Sequence, residues 1–467
     1  MQTRVMGWVR DASQRSGGSA ERRRPAFRRM AALCRGAATI LAAGIVAFGA
    51  TAQAQGWKLG STLTLKADVM LRETFDSNVY LQDVSPDPAN VAAARAAGFN
   101  AVEAEKESLV TTLLPSLGLD YQPCAAFRLA AAYTPEIAFY HSASSEDYVA
   151  HRASLNLSGT IEKAKWELLN NFTFIDGSDL GPVFAGPGDI PAIGGVPLRN
   201  RRDAFIFQNT SRVTQPIGKF FLRPVATAYR HDFRTKQLPS GAGYLYENYI
   251  DRQNVNVGLD LGIPLGEQTH LILGYRYGQQ DQFKLRGVDS PYDRSYHRLL
   301  VGVEGSPVKW MKLALLGGPD INDFSARAKA TYPTFDEDQT VYFIDSSITL
   351  LPTSRDTIKL SNLRYQQPAF GSPSMYEDIT YSVTWKHKFD DQWSANAGFQ
   401  AYVGDWQSPA VREDWIYTPS VGVTYVHDKH LTADLGYSYD WVDSEVPNTA
   451  GREFTRHLVW LSAKYSF

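Results

Sequence analysis

Alternation carried over ten or more residues at a time is the feature that most limits what this chain can become. Val255, Val257, Leu259, Leu261 and Ile263 are apolar, and the residues between and beside them, Asn254, Asn256, Gly258, Asp260 and Gly262, are polar or small. The same division separates Trp393, Ala395, Ala397, Phe399, Ala401 and Val403 from Ser394, Asn396, Gly398, Gln400 and Gly404. It also separates Leu431, Ala433, Leu435, Tyr437, Tyr439 and Trp441 from Thr432, Asp434, Gly436, Ser438 and Asp440. Side chains of an extended strand point to alternate faces, so each stretch is a strand with one apolar and one wetted face. Strands in soluble sheets typically run about 5–6 residues, whereas a tilted strand needs about 9–11 to cross a bilayer. The pattern disfavours a soluble β-sandwich and implies an all-β chain with strands of bilayer length.

About eighteen such segments follow one another between residues 62 and 467, and their connections sort by parity. After even-numbered segments come short turns such as Pro216-Ile217-Gly218, Pro352-Thr353-Ser354 and Asp390-Asp391-Gln392. After odd-numbered ones come the long connections, around 82–108, 177–202, 234–249, 283–293, 324–337 and 442–452. Long loops on one side, short turns on the other and an even strand count describe a transmembrane antiparallel β-barrel. The expected fold has about 18 strands, with 16 as the other possible count, long extracellular loops and short periplasmic turns. Aromatic residues near strand ends, such as Tyr437, Tyr439 and Trp441, fit the interfacial girdles of such a barrel.

The amino-terminal region is of a different kind. Its first 35 residues hold nine Arg against Asp11 and Glu21, and the apolar run 37–51 leads into Ala52-Gln53-Ala54. A basic region, a short apolar run and a small-x-small site are the parts of a secretory signal peptide, and the run is too short for a spanning helix. The expected organisation is a signal peptide over 1–54, cleaved after Ala54 on export through the inner membrane, and an outer-membrane barrel over 55–467. A start at Met30, or a twin-arginine reading of Arg23-Arg24, are the alternatives at this end. Without the leader, 38 basic and 47 acidic side chains remain, a net charge of −9 that weakly favours cations in a pore. Cys124 is then alone, so no internal disulfide is expected.

A near-neutral balance over the whole chain gives no basic footprint for nucleic acid. No phosphate-cradling loop, dinucleotide fingerprint or cysteine cluster is present, so no cofactor, metal or catalytic residue is expected and the chain reads as no enzyme. His141-Ser142 at a strand end is the nearest approach to a hydrolase, a base beside a hydroxyl, but its flanks complete no motif. His231 and Asp232 are adjacent on a strand and face opposite sides, and His427 with His430 flank a turn.

At 16–18 strands a barrel keeps an aqueous channel. Lys66, Asp68, Arg72, Arg152, Asp260, Asp378, Lys386 and Asp434 fall on the wetted faces and are the candidate lumen residues. The 177–202 connection mixes Gly and Pro with Val183, Phe184, Ile190, Ile193 and Val196, more apolar surface than a water-exposed loop should carry. By analogy with general diffusion porins, whose third loop folds inward, Asp179, Asp189, Arg199, Arg201 and Arg202 are candidates for a constriction.

Two stretches resemble known patterns. The last strand, with Val459, Leu461, Ala463, Tyr465 and Phe467 on one face, resembles the carboxy-terminal signal read by the barrel assembly machinery, with Ser462 where Gly is usual. The stretch Arg72-Glu73-Thr74-Phe75-Asp76-Ser77-Asn78-Val79-Tyr80-Leu81 resembles the opening strand of the β-barrel porin-2 family of outer-membrane proteins. The expected function is an outer-membrane, porin-like channel for passive diffusion of small hydrophilic solutes or ions, in contact with membrane lipid and able to form a homo-oligomer. The family resemblance implies an alternative, a partner-dependent barrel in exopolysaccharide export or surface-polymer anchoring. A barrel lipid hydrolase is the third reading.

Overall fold

A computed structural model describes residues 56–79, 107–177, 203–234, 250–285, 288–369, 374–407, 411–444 and 454–467, with short pieces at Lys236–Gln237 and Tyr246–Glu247 and isolated positions in the long connections. The expected leader lies outside the described residues. Eighteen long strands form the wall: β1 Leu63–Asp76, β2 Ser108–Cys124, β3 Phe127–Tyr140, β4 Tyr148–Ile161, β5 Ala164–Asp176, β6 Ala204–Ile217, β7 Phe220–Phe233, β8 Arg252–Gly266 and β9 Thr269–Gln282. They continue as β10 Arg294–Val308, β11 Met311–Phe324, β12 Asp338–Leu350, β13 Asp356–Pro368, β14 Met375–Lys388, β15 Trp393–Trp406, β16 Arg412–Val426, β17 Leu431–Ser444 and β18 Thr455–Ser466.

Each strand pairs antiparallel with its sequence neighbours, and β1 pairs with β18, Asp68 opposite Ser466 through Asp76 opposite Leu458, so the sheet closes on itself. The eighteen-strand expectation holds, as does the division of connections between the two ends. Closure matters physically because a spanning segment must satisfy every backbone N–H and C=O internally, and a closed sheet leaves no edge. At the short-turn end β18 runs out before β1 does. There the extra strand Trp57–Leu59 pairs with Leu63–Leu65 and takes over the edge of β1.

The first strand differs from its expected extent in an informative way. It ends at Asp76, and the Ser77-Asn78 that follows is a clasp rather than more strand. The Asp76 carboxylate accepts both Nε and Nη2 of Arg456, at 2.8 and 2.5 Å, and the backbone N–H of Asn78 at 3.0 Å. Asn78 Nδ2 donates to Thr455 O at 3.0 Å, and Ser77 exchanges hydrogen bonds with the His457 backbone. The stretch that resembles a family's opening strand thus fastens the first strand to the last.

The outer surface follows the alternation. Leu117, Val257, Val301, Leu435 and Leu461 are between 54 and 61% exposed in the middle of their strands. A belt of this kind around the whole sheet is stable only in contact with hydrocarbon, and the fold is that of a transmembrane barrel. At the long-loop end the connections pack on one another. Tyr292, Phe324, Phe335 and Met375 form an apolar knot with Ala328 of the short helix α1, Ala326–Thr331. Phe335 meets the rings of Tyr292 and Phe324 at 4.9 and 5.0 Å.

Candidate solute pathway

The wetted face of β7–β10 carries a ladder of arginines, Arg223, Arg252, Arg276, Arg294 and Arg298, against the carboxylates of Asp260 and Glu304. Register puts them there: Asp260 sits opposite Arg223 on one side and Gly274 on the other, and Arg276 sits opposite Arg298. Asp260 receives Arg223 Nε at 2.9 Å and Arg276 Nη1 at 2.7 Å, and Arg223 turns its other edge to Glu304 at 2.9 and 3.0 Å. Arg298 reaches Asp320 on β11 at 2.6 Å and lies over the Phe343 ring at 3.7 Å. These bidentate and bridging contacts hold flexible cations against the wall, as the forked guanidinium geometry allows.

Arg294 is held differently. Its guanidinium is buried and donates to neutral oxygens: Gln280 Oε1 at 2.9 and 3.1 Å, Asn322 Oδ1 at 2.7 Å, Gln366 O at 2.8 Å, and Gln366 Oε1. Amide oxygens satisfy its donors without cancelling its charge, so the field of this cation extends into the pathway. Tyr296 lies flat beneath it, over Gly278, where a Cβ would come within 2.2 Å of the ring.

The narrowing is made by β13 and β14. Pairing between β12 and β13 runs from Leu350–Ile358 only to Ile344–Arg364, while β13 stays paired with β14 as far as Pro368–Met375. Beyond Arg364, the Pro368 carbonyl accepts Arg252 Nη1 at 2.6 Å, and Arg252 belongs to β8. Five inter-strand spacings of roughly 4.8 Å separate β8 from β13 along the wall, far more than one side chain spans. The upper end of β13 has therefore parted from β12 and crossed into the lumen, with β14 still paired to β15 as far as Tyr376–Trp406. Tyr365 and Gln367 on it donate to Asp378 of β14.

Half a circumference from the arginine ladder, the wetted faces of β16 and β17 present Asp414, Asp434 and Asp440. Thr418 donates to Asp440 at 2.8 Å and Thr424 to Asp434 at 2.6 Å. Arginines on one wall and carboxylates on the other polarise the pathway across its width.

All eight lumen candidates occupy inward register positions. Asp260 and Asp378 belong to the ladder and the hairpin. Asp68 meets Lys464 at 3.4 Å, Arg152 meets Glu136 at 3.1 Å, and Asp434 lies on the acidic wall. Lys66 stands opposite Gly118, Arg72 opposite Thr112, and Lys386 between Thr357 and Asn396. The constriction candidates Asp179, Asp189, Arg199, Arg201 and Arg202 lie outside the described residues, so the narrowing seen comes from a different hairpin. Sequence reading passed over Arg252, Arg294, Arg298 and Gln366. Their alternation was visible in the chain, but nothing local says that strands so distant meet.

Tyr465 and Phe467 close the short-turn end: their rings are 5.0 Å apart, and the Phe467 N–H donates to Ala67 O at 3.0 Å. His141 pairs through Nε2 with Thr111 Oγ1 at 2.8 Å, and the Ser142 backbone N–H donates to Ser108 Oγ at 3.0 Å. His231 points inward and stacks on Phe233 at 4.0 Å. Among the described residues no group of His, Cys, Asp and Glu has the arrangement of a metal site.

No family model matches the chain, and no curated protein matches it. Among solved structures it is similar to the outer membrane protein OpdK from Pseudomonas aeruginosa, at 11% identity and a TM-score of 0.42, covering 86% of this chain and 99% of that one. It is also similar to the FrpB iron transporter from Neisseria meningitidis, at 10% identity and TM-score 0.41, covering 89 and 83%. The copper transporter OprC gives 10% and 0.44, covering 88 and 81%. At such scores nothing about solute or mechanism passes from these proteins to this chain.

Proposed function

We propose that this protein is a channel of the Gram-negative outer membrane through which small hydrophilic solutes diffuse passively, with anionic solutes favoured. The observation that carries this reading is the wetted inner face of a closed, apolar-belted barrel, lined on one side by Arg223, Arg276 and Arg298 and narrowed beside Arg252 and Arg294. The overall charge of the chain points the other way, but it counts groups on loops outside the pathway, and fields act on a solute through the nearest charges. In this reading the long loops face the cell exterior, the short turns face the periplasm, and the strand ending in Tyr465 and Phe467 is presented to the assembly machinery.

The protein does no chemistry in this role. A solute enters the mouth, passes between the hairpin and the arginine wall, and exchanges part of its hydration for guanidinium contacts that are too shared with protein carboxylates to trap it. Planar-bilayer recording of the refolded chain tests the proposal. Stable conductance steps with a reversal potential on the anion side of zero in a salt gradient are expected. Silence from protein whose folding is shown by heat-modifiable gel mobility would overturn it.

A further inference from the structure

Among the described residues, the departure of β13 leaves the upper part of its neighbour without a partner strand on one side. β12 is paired with β11 along all of Asp338–Leu350, but on its other side the register stops at Ile344, so the backbone of residues 338–343 faces a slit in the long-loop half of the wall. Immediately beneath the slit, on the lipid side, is a concavity of about 340 Å³ bordered by Leu315, Ile348, Leu360, Tyr381, Val383 and Phe399. Its apolar borders come from five successive strands, and the polar pair Ser346–Asn362 stands two residues below the last pair, Ile344–Arg364.

On the lumen side the slit is guarded by polar groups. Gln366 Nε2 donates to Gln339 Oε1 across it at 2.7 Å and to Gln407 Oε1 at 2.9 Å. The same Gln366 is the acceptor for Arg294, and Arg298 lies over Phe343, the last inward residue of the unpaired stretch. Two guanidiniums, of which Arg298 is paired with Asp320, a breakable side-chain stitch, an unpaired strand edge and an apolar hollow thus follow one another from the lumen to the lipid.

We propose that the slit between β12 and β13 is a lateral passage from the lumen mouth to the membrane, and that its substrates are amphipathic carboxylates with an extended apolar body. The carboxylate is received by Arg294 and Arg298 as Gln366 lets go of Arg294, and the apolar body leaves through the slit into the hollow, which its chemistry fits and which water does not favour. The inference rests on the channel reading above and extends it to a second class of solute with a different exit.

The test is to stitch the slit covalently. In a Cys124→Ser background, Gln339→Cys with Gln366→Cys puts two thiols where the side chains now meet across it, and Ser346→Trp, which fills the hollow from the lipid side, is the substitute if the pair does not oxidise or does not refold to normal heat-modifiable mobility. Proteoliposomes carrying the variant are assayed for transfer of a fluorescent polyunsaturated fatty acid into the bilayer and, separately, for swelling in a small sugar acid. The expected result is that oxidation abolishes fatty-acid transfer and reduction restores it, with swelling the same in the oxidised and reduced states of the one variant, and that Ser346→Trp loses transfer but keeps swelling. Fatty-acid transfer that persists in the oxidised protein overturns the proposal, and so does loss of both activities together, which would mean a single axial path. Absence of swelling even in the reduced protein would count against the channel reading, separately from the slit.

Discussion

Asp76 and Arg456 stand 380 positions apart and meet in a two-bonded ion pair whose side chains are 2 and 11% exposed. They join the first strand to the last, so the pair closes the barrel rather than decorating it. Removing one partner strands a buried charge, which typically costs about 3–5 kcal/mol, whereas replacing both with neutral groups costs much less. Arg456→Met is therefore expected to lower the urea midpoint of the lipid-embedded protein strongly, and Asp76→Asn combined with Arg456→Gln to regain most of the loss. An unchanged midpoint in Arg456→Met would remove the pair from any role in closure.

The two faces of β8 should respond oppositely to the same side chain. Leu259 lies at mid-strand on the lipid face and is 46% exposed there, and Asn256 lies on the lumen face. An arginine at the bilayer midplane costs about 2–4 kcal/mol in a barrel wall. Leu259→Arg should reduce folding yield into vesicles and unfolding midpoint by that order, and Asn256→Arg should leave both nearly unchanged. Equal effects would mean that the faces are assigned the wrong way round.

Charge on the arginine ladder should be readable as ion preference. Arg276→Gln removes one cation while leaving Asp260 paired with Arg223 and Asp320 with Arg298. The reversal potential in a salt gradient is expected to move toward the cation side, and the effect should shrink at high ionic strength, where screening shortens to about 3 Å at 1 M. A potential that does not move would place the ladder outside the conducting path.

The hairpin that crosses the lumen should set the bore. Replacing residues 367–376 with an Asn-Gly turn removes the Pro368 contact to Arg252 and is expected to enlarge single-channel steps without altering gel mobility. Steps of unchanged size would locate the narrowest point elsewhere.

One short turn carries a pH signature. The Asp428 carboxylate accepts the backbone N–H groups of Leu431 and His430, each at 2.8 Å, and these bonds hold its pKa below the usual carboxylate range. A depressed folded-state pKa contributes stability that is present above the unfolded value of about 3.9 and is lost as pH falls through the lowered one. The difference in unfolding midpoint between the native chain and Asp428→Ala should thus be constant from neutral pH down to about 5 and fade below about 4. A difference that grows on acidification would contradict this.

Much of the wall was legible in the chain because strand alternation is local: Val255 and Asn254 declare their faces to anyone who reads ten residues. Strand number and loop parity followed from the same signal. The end of β1 at Asp76 was not legible, because what stops the strand is Arg456 and Thr455 at the far end of the chain. Nor was the inward hairpin. Residues 357–367 read as an ordinary strand, and the departure of its upper end from β12 goes with contacts to Arg252 and Arg294, side chains on strands that come together only once the sheet has closed. Ion pairing across a closed sheet leaves no periodic trace, so the fold was easier to read than the pathway.

The small strand Trp57–Leu59 bears on where a mature chain can begin. Because it fills the margin of β1 that Ser466 does not reach, a processing step that cut beyond it would leave three residues' worth of backbone donors and acceptors bare, at a point where the sheet offers no substitute. For the leader expected over 1–54, the barrel thus sets a limit of its own on where cleavage leaves the wall whole. A junction displaced by only a few residues toward the barrel would yield a protein with a sticky hem, prone to pair with its neighbours during export.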